Sequence, residues 1–183
     1  MRLAVYLAAL IFAGSALVAA PIKLEPASPQ PKVKPGLAVS YAYPGDVKTL
    51  RDAKRELKKA KPGKPLAGLD YRDGSDGEVA LTSDRAHRVV ADISGFVKFD
   101  APGIYNVDFV TNDGLQVWIS GKEVAKKDGR FSCQETREVE VEVPSAGWYS
   151  IKALYFQRLG SSCLHMRAGL GSPDWMPNSA FGH

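Results

Sequence analysis

Asn112 and Asp113 stand side by side in FVTNDGLQVWISGKEV, residues 109–124, with Gly114 directly after them. An amide beside a carboxylate presents polar groups that can hold a ligand. The same residues also make a good tight turn without any ligand, because Asn and Asp tolerate left-handed backbone and bond to their own turn. Trp118, a little further on, offers an aromatic face with the mix of apolar area and polar edge that suits a sugar ring. Asn112, Asp113 and Trp118 are therefore the candidate ligand-binding residues. For Asn112 and Asp113 a purely structural turn is the alternative. Trp148 and Trp175 share the aromatic chemistry, but Trp148 follows a turn and opens a long strand, which favours packing.

Other chemistry is sparse. The three histidines, His87, His165 and His183, are scattered. No Gly-x-Ser-x-Gly elbow, His-Glu-x-x-His pair or phosphate-cradling glycine loop occurs. No acidic pair has a spacing that marks a glycosidase. The chain therefore reads as a non-enzyme with no required cofactor. YRDGSDGE, residues 71–78, is acidic and carries two Asp-Gly pairs, but lacks the ligand register of a calcium loop and reads as turns. Cys133 and Cys163 form an even pair, most simply a disulfide in an exported chain; two buried free thiols are the alternative.

These residues must be placed by the elements around them. Residues 1–20 carry Arg2, an apolar run and then small residues, which predicts a secretory signal peptide, with an uncleaved N-terminal anchor as the alternative. Residues 21–35 hold five prolines and predict an extended linker that adds nothing to a core. Val39, Tyr41 and Tyr43 alternate in an opening strand. Leu50, Ala53, Leu57 and Ala60 recur at helical spacing, and Pro62-Gly63 stops that run. This short helix lies in residues 48–64, which carry eight Lys or Arg and much of the basic excess behind a net charge of +4. Its outer face can meet anionic glycans, lipid headgroups or wall polymers. After Val89 strand signals crowd together. Tyr105, Val107 and Phe109 alternate with polar residues, as do Leu115, Val117 and Ile119, and Val139, Val141 and Val143. Ser120-Gly121 fits a hairpin turn. Residues 147–157 and 163–170 complete an all-β antiparallel sandwich, jelly-roll-like, with one short N-terminal basic helix.

Four segments together resemble one family. SGFVKFDAPGIYNVDFVTNDGLQVWISGKEV is similar to the core of the protective-antigen-type domain, where a G-x-Y strand leads through an Asp-Asp-Gly turn to a strand and an I-x-G hairpin. DGR (128–130) falls at that family's short glycine loop, PSAGWYSIKALYFQ resembles its long strand, and MPNSAFGH its closing segment. The cover is residues 36–183. The resemblance implies an exported β-sandwich that often binds carbohydrate. In its adhesin branch, two consecutive aspartates joined by a cis peptide hold a calcium ion that contacts sugar hydroxyls. Those aspartates correspond here to Asn112 and Asp113, which the resemblance makes the candidate calcium ligands; calcium gathers about six to eight hard oxygen donors, and here one carboxylate is replaced by an amide.

The expectation is a signal peptide (1–20), a Pro-rich linker (21–35) and one binding domain (36–183), secreted or held in the periplasm or cell envelope. Its expected ligand is a carbohydrate or cell-wall polymer. The alternative is a structural or protein-interaction domain with an envelope protein partner. Export argues against nucleic acid, and membrane contact would come only through an uncleaved signal segment.

Overall fold

The computed structural model describes residues 20–183, so the predicted signal peptide, apart from Ala20, lies outside the described residues. In chain order the strands are β1 (Ile22–Lys23), β2 (Ala38–Ala42), β3 (Lys61–Pro62), β4 (Asp70–Tyr71), β5 (Val89–Phe99), β6 (Gly103–Thr111) and β7 (Gly114–Ile119). They continue with β8 (Lys122–Lys127), β9 (Gln134–Glu135), β10 (Val139–Val143), β11 (Gly147–Gln157), β12 (Leu164–Gly169), β13 (Asp174–Trp175) and β14 (Phe181–Gly182). One sheet runs β1-β10-β6-β12-β13, with β9 on β6 and β4 on β12. The other runs β3-β2-β5-β11-β7-β8, with β14 on β5. The predicted antiparallel sandwich is the fold; among the described pairings only β1 with β10 is parallel.

Side-chain alternation builds the core. Along β11, Tyr149, Ile151, Ala153 and Tyr155 point between the sheets, where they meet Val107, Phe109 and Val141 of the facing sheet. Leu154 and Phe156 point the other way, into a second apolar cluster with Val90, Val47, Leu50 and Ala53. Helix α1 (Leu50–Glu56) closes that cluster from outside. It begins where Thr49 accepts from Asp52 N–H and Asp128 accepts from Leu50 N–H, so two orphan amides of the first turn are satisfied. The helical period ends in a 3-10 turn at Leu57–Lys59, which leaves the lysines exposed. Among the described residues no helix is long and apolar enough to cross a membrane.

Two regions depart from expectation. Residues 21–35 are not a free spacer. Ile22 and Lys23 add a strand beside β10, and Leu24 is fully buried in the core. Gln30 accepts from Trp148 N–H, and Lys34 and His183 exchange backbone hydrogen bonds. An extended, proline-rich segment has few intramolecular donors of its own, and lying along sheet edges gives those it has a partner. The polar stretch between Leu66 and Arg88 likewise buries Leu66, Leu69, Ala80 and Leu81, although only β4 within it is strand.

Candidate ligand-binding site

The turn from β6 to β7 is Asn112-Asp113. Asp113 takes the left-handed conformation, with φ at 47°, so the turn uses the tolerance of Asp for that region. Gly114 serves a different need: a Cβ there would overlap the ring of Phe156 on the neighbouring strand. The peptide bond between Asn112 and Asp113 is trans; among the described residues the one cis bond is Ser28–Pro29.

Asn112 is buried, and its side chain is used to capacity. Oδ1 accepts from Tyr155 Oη at 2.7 Å and from Cys163 N–H at 3.1 Å. Nδ2 donates to Gln157 Oε1 and, at 2.9 Å, to the Ser161 carbonyl. Both acceptor positions and both protons of the amide are therefore taken inside the protein. Gln157, itself fully buried, turns its own amide protons to the Gly160 and Ser161 carbonyls. Burial pushes the Tyr155 hydroxyl well above its usual range, with Asp113 nearby adding to the effect, so it stays protonated and keeps donating.

Asp113 is also buried. Its Oδ2 accepts from Arg158 N–H at 2.6 Å, and its own N–H donates to the Phe131 carbonyl. Burial raises its pKa, while backbone hydrogen bonding of the carboxyl at Arg158 and Phe131 and the charges of Arg158 and Arg130 oppose the rise. A carboxyl whose folded pKa exceeds its unfolded value contributes most below the unfolded pKa and loses that contribution as pH rises through the folded pKa. Asp113→Asn keeps an oxygen for Arg158 N–H and a residue tolerant of positive φ, without an ion to desolvate. Thermal unfolding of the two proteins across pH should therefore shift in favour of Asp113→Asn as pH rises from about 4, then run parallel at higher pH. A variant that loses ground as pH rises would show that the ionised carboxylate is stabilising.

A calcium ion at this turn would need Asn112 Oδ1 released from Tyr155 and Cys163, and it would find one carboxylate where the adhesin pattern has two. The donor set does not fit the ion. Trp118 lies apart, five residues past Asp113 and roughly 15 Å along the strand. Alternation does turn it away from the inter-sheet core, as expected, but it is partly buried against the outer apolar cluster. Trp175 is 40% exposed but flanked by Arg72 at 4.7 Å and Arg167 at 5.7 Å.

Cys133 and Cys163 form the expected disulfide, with Cα atoms 6.0 Å apart. It braces the turn, since Cys163 also accepts from Asn112 N–H. The two sulfurs and a ring nitrogen of His165 lie within 4.8 Å of one another. With the sulfurs bonded to each other they are not thiolate ligands.

Sequence reading missed Tyr155, Gln157 and Arg158 as partners of the turn. The available signal was the end of the long strand, where YFQR places polar residues after an apolar run. It also missed a groove of about 780 Å³ at the same end of the sandwich. Ala42, Val90, Phe156 and Gly114 form one row across β2, β5, β11 and β7, so the chain leaving β2 and the Asn112-Asp113 turn share an edge. Arg158 joins them: its guanidinium pairs with Asp46 in the groove wall at 2.9 Å while its backbone holds Asp113. Tyr43, half-buried, lines the groove, and its ring lies 6.3 Å from that of Tyr41, which is buried in the inter-sheet core.

Comparison with known proteins bears on this geometry. The family model described as PA14 domain matches residues 34–180. A PA14 domain of the MpAFP antifreeze protein superposes with a TM-score of 0.67 at 16% identity, covering 80% of this chain and 89% of that one. A PA14 sugar-binding domain from an RTX adhesin gives 0.62 at 15% identity, with 81% and 98% covered. The Epithelial Adhesin 9 A domain from Candida glabrata, solved in complex with Galb1-4GlcNAc, gives 0.60 at 15% identity, with 88% and 94% covered. At these identities the likeness is one of fold. No curated protein matches the chain.

Proposed function

The chain belongs to the PA14 domain family, and from that premise we propose that it is an exported, non-catalytic module of the cell envelope that binds carbohydrate or a cell-wall polymer without calcium at the Asn112-Asp113 turn. The observation that carries this reading is the groove beside a turn whose amide is already filled by protein partners. Fold relatives described as sugar-binding support the ligand class. A disulfide suits an oxidising compartment outside the cytosol and supports export. Asn112 and Asp113 shape the end of the sandwich, and Trp118 packs against the outer apolar cluster, so none of the three is assigned a direct contact with the ligand. Screening the protein on a glycan array, with a chelator present, tests the proposal. Binding to a subset of glycans is the expected result. No glycan bound, with or without calcium, would overturn it and favour an envelope protein docking on the basic face, read by pull-down with charge reversal at Lys58, Lys59 and Lys61.

A further inference from the structure

The charges around the groove are unequal in how they are used. Its carboxylates at Asp46 and Glu56 are neutralised within the protein: Asp46 by Arg158 and Lys48, Glu56 by Lys59 and Arg55. Arg158 holds the Asp46 carboxyl below its usual range, as expected of an engaged ion. The cations are left over. Among the described residues, Lys61 and Lys64 in the groove wall have no carboxylate within 4.0 Å, and both are exposed. Arg85, exposed and also without an ion pair among the described residues, stands over the Tyr43 ring at 4.7 Å. Asp84 is the one acidic lining residue without an ion pair among the described residues, and its backbone N–H is tied to Tyr43 Oη.

The backbone that carries Lys61 and Lys64 is tied into the fold, Lys64 through its carbonyl, which accepts from Thr82 Oγ1 at 2.6 Å. Lys61 lies in β3, paired with Tyr41 of β2 at the edge of its sheet. Tyr41 is anchored through its hydroxyl to Thr82, and burial pushes that hydroxyl up to about 12, so it remains protonated. Beyond the wall, Arg51, Lys54 and Lys58 of the helical segment are exposed and also lack ion pairs among the described residues. A concave surface with surplus positive charge complements a polymer with repeated negative charge.

Resting on the carbohydrate-binding reading, we infer that the groove takes an anionic polysaccharide, with Lys61, Lys64 and Arg85 meeting its carboxylate or phosphate groups. The ligand is an extended acidic chain rather than a neutral oligosaccharide terminus.

The test is calorimetric titration of the full chain with three polymers of matched length: polygalacturonate, a glycerol-phosphate polymer and neutral dextran. The expected result is binding to one or both acidic polymers at least about tenfold tighter than to dextran, weakening as salt rises. The double variant Lys61→Gln, Lys64→Gln should lose about tenfold in affinity with an unchanged thermal midpoint, because both side chains are exposed. Whether the carboxylate or the phosphate polymer binds more tightly identifies the charged group. Dextran binding as tightly as the acidic polymers, with no effect of the lysine changes, overturns the inference and leaves the carbohydrate reading standing. Glycan-array binding with no acidic polymer bound has the same meaning, whereas no binding in either experiment overturns both. Anionic phospholipid vesicles bound as tightly as the acidic polymers, and lost in the same double variant, would also overturn it, since charge alone would then be the ligand.

Discussion

Replacing Asn112 with aspartate should destabilise the protein by roughly 3 to 5 kcal/mol in chelator at neutral pH. The change is a single atom in size, yet it reverses a hydrogen-bond direction twice. Asn112 Nδ2 donates to Gln157 Oε1 and to the Ser161 carbonyl. A carboxylate oxygen there would face two acceptors in a buried site. Both lost donors and the buried charge act in the same direction, and the loss should lessen in acid, where the carboxyl is protonated and can donate once. Thermal or urea unfolding measures it. Asn112→Asp also supplies the second carboxylate that calcium takes, so calcium should raise its midpoint while leaving the natural protein unmoved. A natural protein stabilised by calcium, or an Asn112→Asp variant as stable as the natural one in chelator, would show that the amide network is not what fills this turn.

Removing the disulfide should have a similar cost. Cys133 and Cys163 are separated by 30 positions, and opening a loop of that size costs roughly 3 to 4 kcal/mol in the chain-entropy treatment. For a domain of this length that is a fall of roughly 10 °C in thermal midpoint. The bridge has a further role here, because the Cys163 backbone both donates to Asn112 Oδ1 and accepts from Asn112 N–H. The pair Cys133→Ser, Cys163→Ser should therefore loosen the 112–113 turn first. Hydrogen exchange at the Asn112 and Asp113 amides should rise ahead of exchange in the middle of β5 and β11. An unchanged midpoint, or uniform exchange, would mean that strand pairing alone holds the turn.

Much of the fold is legible from local pattern. The period of two in Val139, Val141 and Val143 places β10, and the period of Leu50, Ala53 and Leu57 places the helix, since each pattern reflects which face is buried. Ser120-Gly121 supplies two positive φ angles, the requirement of the hairpin between β7 and β8. The candidate site is less legible because it is built across strands. Asn112 meets Tyr155, Gln157 and Cys163 only through the registers of β6, β7, β11 and β12, and such distant pairings leave no periodic mark. The same limit hides the docking of residues 21–35, whose composition reads as a linker although Leu24 reaches the core. Trp118 shows a third case: alternation puts it outside the inter-sheet core, but whether that outer face is bare or roofed depends on where the helix packs. The groove arises in the same way, from β2, β3 and the segment around Thr82 meeting in space.

Carbohydrate should bind this protein with no need of calcium. The direct measurement is the dissociation constant for the tightest glycan found on the array, titrated calorimetrically in excess chelator and again in about 1 mM calcium. Equal constants in the two buffers are predicted, because the Asn112 amide is occupied by Tyr155, Gln157, Ser161 and Cys163 with or without the ion. Binding that appears only with calcium, or tightens by about tenfold on adding it, would contradict the account.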